Sequence, residues 1–499
     1  MKDVRNLNFK MLLLSYAYFQ NFVLRYLTAK EKSLLVRKVF MVLKSPSILE
    51  QPLSGWGRYP IVKSYLQRPE KVASLAEIVR ETTDRSILAR GSGRSYGDAA
   101  LNPKGDTILT EGLNRILAFD EQSGILHCEA GVTIKEILEI FLPQGWFPAV
   151  TPGTKFVTVG GAVAFDVHGK NHHLDGSFSR YVQSLKLILA SGQVLQCSPQ
   201  ENSDIFWATI GGMGLTGIII EVEFALRPIQ TAYIQSYNLK AKNLDEVIAL
   251  FNQYEPQYQY SVAWIDCLTS GDSLGRSILM LGNHAQIDDL NQKQRLTPLQ
   301  IKSKPRFKVP FDLPAGLLNR YTMSNFNTLY YTRQRSMQAH SVVDYDSFFY
   351  PLDFLWDWNR LYGKRGFVQY QFVVPLETSR EALLQVLQLC SQKGWGSFLA
   401  VLKRLGSETA WLSFPMPGYT LALDMPVKPG LWEFLDQLDQ VVIQHGGRVY
   451  LAKDARLGPA AFRAMYPNFP KWLEVKLKVD PHNRFSSVLS QRLQIEPVQ

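Results

Sequence analysis

Three glycine-rich loops stand far apart along this chain: Arg90-Gly-Ser-Gly-Arg-Ser-Tyr-Gly97, Pro152-Gly-Thr154 running on to Thr158-Val-Gly-Gly-Ala162, and Gly211-Gly-Met-Gly-Leu-Thr-Gly217. Any one of them reads as a tight turn, because glycine tolerates backbone conformations closed to other residues. Three together point to a long ligand laid along backbone edges. The first loop follows a short apolar run, Ile87–Ala89, and carries Arg90, Arg94 and Ser95. Such a loop can aim backbone N–H groups at a pyrophosphate.

Gly212-x-Gly214-x-x-Gly217 also matches the dinucleotide-binding string, but its context is wrong. That fingerprint needs a strand before it, a helix after it and an acid roughly 20 residues on. Here a β-branched strand, Ile218–Leu226, follows, and the stretch near Tyr237 has no acid. A nicotinamide-binding α/β domain is therefore rejected. Elsewhere the pattern is legible locally. Val72, Leu75, Ile78 and Val79 have helical spacing, Ile116–Phe119 and Ile125–Glu129 read as neighbouring strands, and Thr133 with Glu136 forms a capping box.

With 499 residues and 46% hydrophobic content the chain can bury more than one domain's core. The texture changes near residue 231, where aromatics become dense and glycine loops thin out. We divide the chain into a basic N-terminal extension (1–50), a first domain (51–230), a second domain (231–445) and a tail (446–499), with Ser45–Pro60 as a linker. The net charge is +10, of which residues 1–50 supply +6, with nine Lys/Arg against Asp3, Glu31 and Glu50. No basic run marks the body, which argues against a nucleic-acid enzyme. The pattern suits an anionic lipid surface or a phosphorylated substrate, or is a solvated basic surface. Met11–Leu27 is too short and broken to span a bilayer, and no small-residue cleavage site follows it, so no cleaved signal peptide is expected. The stretch Leu34–Leu43, with Lys32, Arg37, Lys38 and Lys44 in and around it, reads either as a membrane-surface helix or as one packed on its own protein. A cytoplasmic or membrane-peripheral protein is expected. Cys128, Cys197, Cys267 and Cys390 are widely spaced, so neither a disulfide framework nor a metal site is expected.

These loops resemble the FAD domain of the vanillyl-alcohol-oxidase (PCMH-type) superfamily. His168-Gly-Lys-Asn-His-His173, Phe206-Trp-Ala-Thr209, Gln369-Tyr-Gln-Phe372 and Ala452-Lys-Asp454 narrow the resemblance to the decaprenylphosphoryl-β-D-ribose 2-oxidase family. It runs from about Gly55 to Leu493 and implies an α+β fold. A PCMH-type FAD domain of two α/β subdomains would form from 51–230 and the tail, with an antiparallel-sheet substrate domain inserted between them. Many members of the superfamily bond flavin to a histidine in the first loop. Arg94 stands there, so FAD is expected to be held non-covalently.

The resemblance implies that Arg90, Gly91, Ser92, Gly93, Arg94, Ser95, Tyr96, Pro152, Gly153, Thr154, Thr158, Gly160, Gly161, Ala162, Gly212, Gly214, Gly217 and Tyr450 hold the cofactor. It places Lys453 and His168 at the reaction centre, and Lys170, Gln369, Gln371, Trp264 and Tyr96 against the substrate. Gln369 and Gln371 alternate along a strand and so share a face. The implied activity is oxidation of the 2-hydroxyl of a polyprenylphosphoryl-β-D-ribose to the 2-keto sugar. The substrate would be a lipid-phosphate-linked pentose, and an NAD(P)H-dependent reductase would act on the product. Two alternatives stay open: an aldonolactone or alditol oxidase acting on a soluble sugar, and a non-catalytic flavin- or lipid-binding protein. Two positions depart from the family pattern. Ala422 stands where a cysteine is common, and Phe349-Tyr350 replaces a tyrosine-histidine pair.

Overall fold

The strand Ile218–Pro228 shows how the first half is organised. Val222, Phe224 and Leu226 are buried, while Glu221 and Glu223 on the other face meet His127, Lys186 and Ser184. This two-residue period makes it a half-buried strand. It lies at the centre of a six-stranded antiparallel sheet, between Ile125–Glu129 and Val182–Ile188, with Trp146–Pro148 paired to its end. The helix Ile134–Phe141 buries Ile134, Ile137, Leu138 and Phe141 beneath this sheet. Its expected capping box is present: Glu136 N–H donates to Thr133 Oγ1, and Thr133 N–H donates to Glu136 Oε2.

The computed structural model describes residues 49–301, 306–314, 316–407 and 410–495. The basic stretch expected at 34–43 lies outside the described residues. A four-stranded sheet opens the described chain, in the order Leu49–Ser54, Ile61–Gln67, Asp106–Leu109, Ile87–Arg90, with the last three parallel. The expected linker Ser45–Pro60 is thus corrected: its centre is an edge strand. Pro52 misleads a sequence reading because an edge strand tolerates the missing N–H.

An eight-stranded antiparallel sheet dominates the second half. Its order is Gln338–Asp344, Tyr233–Ala241, Ser277–His284, Tyr260–Ile265, Val401–Leu405, Gly418–Pro426, Phe367–Pro375, Arg448–Val449. Helices Leu244–Tyr254, Leu376–Lys393 and Leu431–Gln444 pack on it. The chain is therefore α+β. The tail serves both halves: Arg448–Val449 joins the large sheet, and Ile87 N–H donates to Arg484 O where Phe485 bridges to Ile87 beside the small one.

Candidate active site

The glycine loops and the large sheet enclose a cavity of about 850 Å³, near the upper end of the usual range for ligand sites. Alternate residues of the sheet face it: Val262 and Trp264, Gln369 and Gln371, Val401 and Lys403. The loops form the opposite wall, and they approach one another only because glycine lacks a side chain. A Cβ on Gly91 would lie 2.3 Å from Thr158 Oγ1, and one on Gly97 would lie 1.7 Å from Asp454 O. Tyr96 N–H donates to Ala452 O, which ties the first loop to the turn carrying Lys453.

Nearly all the expected site residues line this one cavity: Gly91 to Tyr96, Pro152, Gly153, Thr154, Thr158, Gly160, Gly161, His168, Lys170, Gly214, Gly217, Trp264, Gln369, Gln371, Tyr450 and Lys453. Three stand off its wall. Arg90 turns away to donate to Ala100 O and Ser54 O. Ala162 is buried in the main core. Gly212 faces Ala208 O and the Trp472 indole, so it serves packing of the helix Ser203–Thr209.

Lys453 Nζ lies 3.6 Å from the centroid of the Tyr96 ring. Burial pushes its pKa down to about 7; Asp424 opposes the shift and Lys403 adds to it. His168 is 7% exposed. Gln371 Nε2 is 3.1 Å from His168 Nε2 and 3.2 Å from Thr420 Oγ1, so the amide donates to both. That leaves the proton on His168 Nδ1, a buried atom without a protein partner. Burial, then the charges of Lys403, His172 and Lys453, hold the imidazole pKa well below its usual value, so the ring is neutral. Lys170 donates to Phe348 O and is lowered to about 7 by burial.

Sequence reasoning missed two groups. Lys403 lines the cavity, its pKa lowered by burial to about 8. Nothing in the string Val-Leu-Lys-Arg-Leu marks it. Asp424, fully buried, accepts from Gln369 Nε2 at 2.6 Å, and burial lifts its carboxyl to about 7. A lone acid in the apolar strand Gly418–Pro426 was a readable signal. Among the described residues no carboxylate lies within 4.0 Å of Lys170, Lys403 or Lys453. The two departures also find their places. Ala422 and Phe349 line the cavity, whereas the Tyr350 hydroxyl meets Thr151 Oγ1 at 2.5 Å in the interior.

Residues 64–198 match the FAD binding domain family, and residues 364–493 match the D-arabinono-1,4-lactone oxidase family. Over 449 residues the chain is 40% identical to the decaprenylphosphoryl-β-D-ribose oxidase of Mycolicibacterium smegmatis, spanning 89% of this chain and 97% of that protein. The chain belongs to the decaprenylphosphoryl-β-D-ribose oxidase family. An uncharacterized protein of Streptomyces coelicolor is 32% identical over 370 residues, 72% of this chain and all of that one. A putative D-arabinono-1,4-lactone oxidase of Neurospora crassa is 27% identical over 168 residues, 33% of this chain and 29% of that protein. The protein is an FAD-dependent oxidoreductase. Its cavity fits that cofactor. The loops leave a backbone-lined cradle, and Ser95 Oγ and Arg94 Nε are buried there without protein partners. The Arg94 guanidinium lies over the Trp56 ring at 4.4 Å.

Proposed function

We propose that this oxidoreductase converts the 2-hydroxyl of a polyprenylphosphoryl-β-D-ribose to the 2-keto sugar, the first half of an epimerisation to the arabinose form. The observation that carries this reading is the cationic cavity. Lys170, Lys403 and Lys453 share it with no ion pair to a described carboxylate within 4.0 Å, an environment suited to a sugar joined to phosphate, although Asp424 acts on Lys453 from further off and Asp353 and Asp357 line the same cavity. The whole-length relationship to a decaprenylphosphoryl-β-D-ribose oxidase supports the same substrate class. The match of residues 364–493 to D-arabinono-1,4-lactone oxidase favours a second reading, a soluble aldonolactone. Anaerobic addition of each compound to the FAD-loaded protein separates the two. Bleaching of the flavin absorbance by the lipid-linked sugar, with none by the lactone, is expected; the reverse would overturn the proposal.

When bound, FAD supplies the acceptor for the hydride that leaves the carbinol carbon. Gly91 to Tyr96, Pro152 to Thr154, Thr158, Gly160, Gly161, Gly214, Gly217 and Tyr450 would hold it. We assign 51–230 and 446–499 to the cofactor domain and 231–445 to the substrate domain, with the tail's Arg448–Val449 pairing across into the large sheet. Lys453, with its pKa near neutrality, either receives the hydroxyl proton as the amine or offsets developing negative charge as the ammonium. His168 is the weaker base, because Gln371 occupies Nε2; its Nδ1–H is free to donate to substrate. Gln369, Lys170, Trp264 and Tyr96 orient the sugar. The keto product would pass to an NAD(P)H-dependent reductase. Among the described residues no helix is long and apolar enough to cross a membrane, and a peripheral location at a membrane face suits the substrate.

Arg94 cannot form the covalent flavin link of related histidine-bearing loops. Acid precipitation should therefore release all the flavin into the supernatant, and flavin retained in the pellet would contradict non-covalent binding. The lowered lysines also predict a pH dependence. The protonated forms of Lys170 and Lys403 hold the phosphate, and in the free protein they lose protons as pH rises through about 7 and about 8 respectively. Affinity for the lipid-linked sugar should fall as pH rises across that window, with proton uptake on binding at its upper end. Titration in weakly buffered solution checks this; binding without proton uptake would count against the cationic site.

A further inference from the structure

Outside the cavity, the feature that stands out is the surface around its mouth. Phe326 and Trp356 line the cavity and are also 44% and 43% exposed, so they mark the opening. Phe326 lies on the helix Arg320–Arg333 and packs edge-on to Phe398. Trp356 lies on a two-residue strand paired to Phe307–Lys308. Phe398 and Leu355 pack in one cluster with Trp358, which joins the two sides of the opening. Phe307, on the strand paired to Leu355–Trp356, and Leu329, one turn along the helix from Phe326, are 59% and 69% exposed, and Phe311, four residues beyond Phe307, is 60% exposed. A soluble surface seldom gathers large apolar side chains in this way without a partner.

Charge indicates which partner. Residues 293–335 hold nine Lys/Arg and one acid, Asp312, a basic stretch in the body of the chain that the expectation of no such run overlooked. Of the cations, Lys302 and Lys304 lie outside the described residues; Arg306, Arg320, Arg333 and Arg335 are exposed, and Lys308 is exposed but pairs with Asp357 at 3.5 Å. The acid does not offset them, because Arg58 and Arg360 already pair with it at 2.6 and 3.1 Å. A second copy of this face would bring like charges together. Residues 1–48, with nine Lys/Arg against Asp3 and Glu31, have the same sign and complement it poorly. Apolar side chains set among cations match the interface of an anionic bilayer, where rings enter the acyl boundary and cations meet headgroups.

We propose that this face docks on an anionic lipid surface and holds the cavity mouth against the bilayer. Its purpose rests on the lipid-linked substrate reading, since docking would deliver the sugar headgroup from the membrane directly into the cavity.

The test uses the full-length, FAD-loaded protein in co-sedimentation with vesicles of phosphatidylcholine alone and with about 30 mol % phosphatidylglycerol. Binding is expected only to the anionic vesicles. The combined variant Phe307→Ser, Phe311→Ser, Leu329→Ser should bind them about tenfold more weakly or less. A variant with Lys32, Arg37, Lys38 and Lys44 changed to Gln should retain most of the binding. FAD content and flavin bleaching by the lipid-linked sugar in detergent should be unchanged in the serine variant, because none of its three positions lines the cavity. The proposal is overturned if the wild-type protein ignores anionic vesicles, or if the serine variant binds them as well as wild type. It is equally overturned if the serine changes abolish self-association instead, which would make the face a contact between copies. Vesicle binding without bleaching by the lipid-linked sugar would sink the substrate reading and leave the docking surface standing.

Discussion

Replacing Lys453 by methionine should leave FAD bound but slow its anaerobic reduction by the lipid-linked sugar about 10²–10³-fold. Methionine keeps a stem of similar length while removing the ammonium that lies over the Tyr96 ring, and with it both the charge and the exchangeable proton. Lys453→Arg separates the two roles, because a guanidinium carries charge but cannot take up a proton near neutrality. Slow reduction in both variants would identify the proton acceptor, and recovery in Lys453→Arg would identify charge stabilisation. A Lys453→Met protein with a raised KM and an unchanged reduction rate would remove the residue from the chemical step.

Changing Arg492 to methionine is expected to destabilise the fold by about 3–5 kcal/mol. Arg492 grips Asp98 through Nε and Nη2 at 2.9 Å each, and Nη2 also reaches Asp454 at 2.9 Å. Asp98 is 1% exposed and Asp454 6%. Without the guanidinium, two buried carboxylates would face each other uncompensated, and one would have to take up a proton. The damage should extend to the cofactor, since Asp98 closes the first glycine loop and Asp454 follows Lys453. Denaturant unfolding and an FAD titration check both effects. An unfolding midpoint equal to that of the wild type would show that the pair has little net worth.

Features set by near neighbours were legible in the sequence. Thr133 and Glu136 lie within one turn, so their capping box needs nothing distant. Glycine at positions 91 and 97 marked a turn or ligand loop, but that Thr158 and Asp454 occupy the space a Cβ would need was decided by tertiary packing. The rejected dinucleotide fingerprint was legible too, since the strand after Gly217 is local pattern. Arg94, at the position where the resemblance implies a flavin-bonded histidine, excluded that bond because arginine cannot form it.

Whatever depended on pairing across the chain was not legible. Alternation put Gln369 and Gln371 on one face, but only the register with Gly418–Pro426 set Asp424 opposite Gln369 and Ala422 opposite Gln371. Lys403 became a cavity residue because its strand was placed between Tyr260–Ile265 and Gly418–Pro426. Arg90 and Gly212 looked like ligand residues, yet tertiary packing turned one toward backbone carbonyls and the other toward Trp472. Side-chain type and short spacing define what a residue is able to do; long-range strand register and loop approach determine which others it meets.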